Sequence, residues 1–270
     1  MNHSDNIMKR VRAHYEEAQS LGHEVMVCAL QGSQNYGLDI YTEEYQSDVD
    51  TKAIIVPSFE HFAREKKFIS TTHVRENNEH IDLKDIREIF NIFKKQNINF
   101  VEILFTPYYV VKSEYAHLWE QCRAIAEEVT HSHPSQTLRA CVGMTLEKLK
   151  ALQHPYPSIA DKIEKFGYDP KQLSHIVRVN DFTKRFIDGC SFADCLIPSN
   201  IEFIKRIKVG EIPLKEAVEM ANAYTADTKE LVNQHKARYG EVFNGDKYYD
   251  ELDSIMVEAL KLKFKKDILI

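Results

Sequence analysis

A chain of 270 residues is long enough for one large domain or two modest ones. Its 43% hydrophobic and 28% charged residues are ordinary globular composition and exclude a disordered chain, while nine Gly and eight Pro are too few for collagen-like or linker-rich architectures. A net charge of −6, from 35 basic and 41 acidic residues, argues against generic duplex DNA binding, and no apolar run approaches the ~20 residues of a membrane span. The polar N-terminal segment has no signal core, and the five cysteines form no CxxC pair. These features predict a soluble, cytoplasmic protein with reduced thiols.

The pattern predicts a helix from about Asp5 to Leu21, closed by Gly22, and then a buried strand over Glu24–Leu30. A polar connection leads to a second strand over Asp48–Val56, ended by Pro57. Lys67–Val74 and Glu79–Leu83 read as a strand pair turned at Glu76-Asn77-Asn78. Ile86, Ile89, Phe90 and Phe93 recur at helical spacing between Lys84 and Lys95, with Asp85 as the expected cap. Phe100–Phe105 reads as a further strand. Beyond Pro107 the pattern is helical, with helices expected near Ser135–Leu152, Pro170–Ile187, Ile201–Ile207, Leu214–Tyr239 and Asp246–Lys265. The expected class is therefore α+β: a small mixed sheet in residues 1–112, then an all-helical domain over 113–270.

Chemistry concentrates between Leu30 and Val56. Gly32-Ser33 ends the first strand and Asp48-Val49-Asp50 opens the second. In a strand, residues i and i+2 face the same way, so Asp48 and Asp50 project two carboxylates from one face, roughly 6–7 Å apart at Cα. Such a pair calls for a neutralising cation, and hard oxygen ligands suit Mg²⁺. Gly permits close backbone approach and Ser adds a hydroxyl, so the turn is fit to hold a phosphate. A third carboxylate would complete a two-metal site; Asp82 is the leading candidate, and Glu79, on the opposite strand face, is the alternative. On the helix from Pro170, Lys171, His175 and Arg178 share one face and Arg185 extends it, a stripe suited to a triphosphate. Leu173, Ile176 and Val177 are expected to face the core. The loop from Gly37 to Ser47 is acidic, with Asp39, Glu43 and Glu44, and is expected to point outward or toward a cationic partner.

The G-S-x-N-Y-G turn followed by S-D-x-D resembles the nucleotidyltransferase superfamily of the DNA polymerase β fold. Asn99–Phe105 and the segment Tyr168-Asp169-Pro170-Lys171 with His175 and Arg178 resemble the YcgL-like predicted nucleotidyltransferases. The resemblance covers roughly residues 24–190. It implies a Mg²⁺-dependent nucleotidyltransferase, with two ions expected and Mn²⁺ as a substitute, that moves a nucleoside monophosphate from an NTP such as ATP to an acceptor hydroxyl. It further implies that Gly32 and Ser33 bind the triphosphate, that Asp48 and Asp50 hold both ions, and that Asp82 holds the catalytic ion and helps activate the hydroxyl. The acceptor is left open among protein, RNA and small molecules. A catalytically silent nucleotide sensor and an antitoxin-like interaction module are the alternatives on the same fold.

Overall fold

A computed structural model describes residues 3–43 and 45–269, so Glu44 of the acidic loop lies outside the described residues. The chain forms two compact units: Met1–Asn35 with Asp48–Ser132 and Asn244–Ile270, and Tyr36–Ser47 with His133–Phe243.

The first unit is built on a five-stranded mixed sheet. Its strands are β1 (Val25–Gln31), β2 (Asp50–Ile55), β3 (Ser70–Val74), β4 (His80–Asp85) and β5 (Tyr109–Val111), in the order β3-β4-β2-β1-β5. Only β2 and β4 run parallel; the other neighbours are antiparallel. The helix His3–Ser20 buries Ile7, Val11, His14 and Ala18. Ala18 packs with Cys28, Ala53, Ile81 and Leu83, and Ile7 and Val11 pack with Leu30 and Val49. These strand positions alternate with Gln31, Asp50, Lys52 and Asp82, so the polar set shares the other face of the sheet. The last helix, Lys247–Leu269, returns to this unit: Lys94 pairs with Asp253 at 2.7 Å, and Tyr249 accepts a hydrogen bond from Gln96.

The stretch Phe100–Phe105 is not a strand. It forms a short helix, Ile98–Val101, and a 3₁₀ turn, Glu102–Leu104. The Asn97 side chain accepts the Asn99 N–H and so caps a helical start, and Ile98, Val101, Ile103 and Leu104 are buried without strand alternation. The fifth strand follows instead at Tyr109–Val111.

The second unit is helical. Pro134–Ala151, Pro170–Ile187, Ile201–Lys208 and Leu214–Tyr239 pack together, and the loop Tyr36–Ser47 belongs with them. After Val111 the described residues form helices and connections only, which makes the fold α+β with a helical C-terminal region. No helix of the described residues is long and apolar enough to cross a membrane, and all five cysteines are free thiols.

Asp85 caps the helix Ile86–Lys94 as expected: it is fully buried, its Oδ1 accepts the Arg87 N–H at 3.0 Å, and both its oxygens grip the Arg87 guanidinium. Asp85→Ala should therefore cost about 1–2 kcal/mol in urea unfolding, in the range for a lost cap. A cost near zero would show that the guanidinium finds water as good a partner.

Candidate functional site

The antiparallel register of β1 and β2 sets the site in the first unit. Gln31 pairs with Asp50, so the Gly32-Ser33 turn that leaves β1 lies beside the segment that enters β2. Gln34 closes the junction, its side-chain amide donating to the Asp48 carbonyl. Gly32 adopts φ +93°, a conformation that favours glycine, and its N–H donates to Glu102 Oε1 at 3.3 Å. Asp48 is exposed just ahead of the strand. Asp50 is half-buried, and its Oδ1 accepts the His80 N–H at 2.8 Å.

Asp82 faces the same side from β4, register partner of Lys52. Its Oδ1 accepts from Thr72 at 2.6 Å; its Oδ2 accepts from Gln31 at 3.1 Å and lies 3.4 Å from Lys52 Nζ. Burial alone would raise the Asp82 pKa, but the Thr72 hydrogen bond, the Lys52 charge and the Gln31 hydrogen bond outweigh it and hold the carboxyl below its ordinary value. The fit to metal is therefore partial. Asp48 and Asp50 offer the hard oxygens one divalent cation needs. A three-carboxylate cluster is not assembled, since no three His, Cys, Asp or Glu side chains among the described residues stand close enough to share an ion.

Glu79 lies on the other side of the sheet and is 1% exposed. It pairs with Arg10 and with Arg75 (2.9 Å), and it accepts from His14 Nε2 (3.0 Å) and the Val49 N–H (3.3 Å). Val49 stands between Asp48 and Asp50, so Glu79 holds the backbone of that segment from behind. His14 adds a second grip through Nδ1, 3.0 Å from Thr51 Oγ1. Burial and the nearby Arg75 and Arg10 charges push the His14 pKa down to about 4, against the opposing pull of Glu17. With Glu79 already matched by two guanidiniums, His14 is the neutral ring that donates through Nε2.

The second unit brings the basic residues together. Arg178 is buried, with its guanidinium 4.2 Å from the centre of the buried Tyr36 ring. Lys171 is exposed in the first turn of its helix. His175, one turn on, is desolvated and surrounded by the charges of Arg178, Lys171, Lys148 and Lys208, which hold its pKa well below the ordinary value. An imidazole that loses its proton near pH 6.5 is therefore not what the fold provides; His175 is neutral at pH 7. Lys208 donates to the Leu38 carbonyl at 2.6 Å, and burial together with Lys171 lowers its pKa to about 8, partly offset by Asp39 of the acidic loop. A cavity of about 240 Å³ opens here, lined by Tyr45, Lys162, Lys165, Phe166, Lys171 and Lys208 among others. Lys208 is a residue the helix pattern could not reveal, because it arrives from a different helix. Lys52 was visible, two residues past Asp50 in the same alternation, though its partner on β4 was not.

A family model described as RlaP, RNA repair pathway DNA polymerase beta family, matches residues 4–178. No curated protein matches the chain. Among solved structures, the chain is similar to a nucleotidyltransferase-like protein from Exiguobacterium sibiricum 255-15, 12% identical, over 91% of this chain and 79% of that one. The TM-score of 0.30 is too low for that likeness to carry an argument.

The His14 environment fixes a pH dependence. Because the folded ring binds a proton less well than the unfolded one, its contribution to stability is complete above about pH 6.5 and is lost as pH falls toward 4. At ~1.4 kcal/mol per pH unit this amounts to about 3 kcal/mol. Urea unfolding of the wild type and His14→Gln between pH 4 and 7 should show the wild type losing more stability than the variant. Parallel curves would mean His14 does not titrate there.

Proposed function

The chain belongs to the RNA repair pathway DNA polymerase β family, and from that premise we propose that it is a divalent-cation-dependent nucleotidyltransferase acting in the cytoplasm. It moves a nucleoside monophosphate from an NTP such as ATP to an acceptor hydroxyl: the acceptor oxygen bonds to the α-phosphorus, pyrophosphate leaves, and the hydroxyl proton passes to solvent. The description of the family favours an RNA 3′ end as the acceptor. The observation that carries this reading is the pairing of Gln31 with Asp50, which sets a glycine turn and a carboxylate pair side by side at one end of the sheet. The finer YcgL-like grouping rests on the segment Tyr168–Arg178 and adds the basic residues of the second unit.

Asp48 and Asp50 would hold a Mg²⁺ ion, or Mn²⁺ in its place, which supplies charge neutralisation for the phosphoryl group when bound. Ser33 offers a hydroxyl for a phosphate oxygen; the Gly32 amide is already used by Glu102 and would have to exchange partners to take part. The chain's own work is positioning: Glu79 holds the Val49 backbone and His14 the Thr51 hydroxyl, on either side of Asp50, so that the carboxylates are preorganised. In the second unit, Lys171, Arg178 and Lys208 gather positive charge around the neutral His175, and a polyphosphate would relieve their mutual repulsion. One observation favours a second reading, a catalytically silent nucleotide sensor: Asp82 is engaged by Lys52, Gln31 and Thr72 and is a poor base.

Incubation with α-labelled NTPs, Mg²⁺ and RNA bearing a free 3′-hydroxyl should transfer label to the RNA. Asp48→Asn and Asp50→Asn should each abolish transfer, because each removes a charged oxygen ligand. Near-wild-type transfer in both would overturn the assignment, and nucleotide binding without transfer to any acceptor in a cell extract would favour the sensor.

The basic cluster has its own test. Lys171→Ala should weaken NTP binding on the order of tenfold, about the worth of one charge-assisted contact, and leave nucleoside binding unchanged. NTP affinity should be flat from pH 6 to 7.5 and fall above about pH 8, as Lys208 loses its charge. A decline centred on pH 6.5 instead would return the role to His175.

A further inference from the structure

Lys52 is an ammonium where the family resemblance expects metal. It is 3% exposed, although it follows the Asp48-Val49-Asp50 segment closely. By strand alternation it shares the face of Asp50, and by register it stands opposite Asp82. Its Nζ lies 3.4 Å from Asp82 Oδ2, contacts Gln31 Oε1, and sits 4.5 Å from the centre of the Phe100 ring. Thr72 and Gln31 take further lone pairs of the same carboxylate. A buried charge of this kind persists only when paired, and Asp82 is the pair.

From this we infer that Lys52 is itself the second cation of the carboxylate face, so that the site takes one divalent ion, on Asp48 and Asp50, with Asp82 as the counter-ion of Lys52. Lys52 and one divalent ion match Asp48, Asp50 and Asp82, and Lys84, 6.0 Å from the centre of the same Phe100 ring, adds a further positive charge; two divalent ions would leave the nucleotide-free face with a still larger positive excess. The inference rests on the metal-dependent reading above and refines it: Asp82 leaves the ligand set.

Mn²⁺ alone, titrated into the full-length protein and followed by electron paramagnetic resonance of the free ion, separates the possibilities. The wild type should bind one ion at these carboxylates, and Asp50→Asn should lose it. Lys52→Met/Asp82→Asn, which removes the ion pair whole and leaves the net charge of the face unchanged, should bind the ion with affinity within about twofold of wild type, whereas loss of a true ligand would cost on the order of tenfold or more. Lys52→Met, checked by thermal melting, should gain a second ion on Asp82. The proposal is overturned if the wild type binds two ions at these carboxylates, or if the double variant weakens binding tenfold. Should Lys52→Met not fold, the double variant, which buries no unpaired charge, still decides. Ion counts are read without nucleotide, so the inference fails or stands apart from the transfer assay. An ion bound only by Lys52→Met would sink the metal-dependent reading of the native chain and keep Lys52 as its resident cation.

Discussion

Glu79 accepts from two arginines, a histidine ring and the amide of Val49, with almost no access to water. Burying a carboxylate is costly unless its lone pairs are filled, so this arrangement is close to all-or-none: each donor is needed to justify the burial of the others. The donors come from distant parts of the chain. Arg10 and His14 lie on the first helix, Arg75 just beyond β3, and Val49 at the entrance to β2. Folding thus cannot complete Glu79's shell without also fixing the backbone between Asp48 and Asp50. Two carboxylates close together repel, and an unbraced segment would relax by turning one away. Glu79 and His14 oppose that relaxation from the opposite side of the sheet, where no ligand need touch them.

What was legible in the sequence is what local patterning controls. The helices Pro170–Ile187 and Leu214–Tyr239 begin and end where their pattern indicates, β2 and β3 lie within the expected segments, and β1 and β4 run one and two residues past theirs. Alternation correctly separated Glu79 from Asp82, since an odd offset in a strand changes face. The failures are long-range or competitive. Residues 100–105 carry a strand's composition, but the Asn97 cap offers a helical start at the same place, and burial accepts either period. The partner of Lys52 depends on the parallel pairing of β2 with β4, which spans a turn, a helix and another strand and leaves no local mark. The neutral state of His175 is hidden from the sequence for a similar reason. Periodicity gave the face it occupies, but not that Lys148 and Lys208 come from other helices to surround it.

The second unit shows the same physics with the sign reversed. There the clustered charge is positive: Lys171, a Lys208 shifted down to about 8 and a buried Arg178 set against the Tyr36 ring lie around a neutral His175. Repulsion of this kind lowers stability unless something is gained, and clustered groups with displaced pKa values are where ligands of opposite charge bind. The acidic loop supplies only partial relief, through Asp39 acting on Lys208. A surface cluster would be screened by salt; the desolvation of Lys208 weakens that screening here.

Lys52 brings the two arguments together in the first unit. At an effective dielectric of ~20, a divalent ion about 5 Å from an ammonium is opposed by about 7 kcal/mol. That is more than a single added carboxylate contact returns after its own desolvation. An ion on Asp48 and Asp50 escapes most of this penalty, because Asp48 is exposed and water can complete its coordination. An ion on Asp82 would not, since Lys52 is buried there with its Nζ 4.5 Å from the centre of the Phe100 ring. For Asp82 to become a ligand, Lys52 would have to leave Gln31, Asp82 and the ring together. On the metal-dependent reading, the balance of charge on this face would therefore put a fixed protein cation in one position and leave the other to an exchangeable metal.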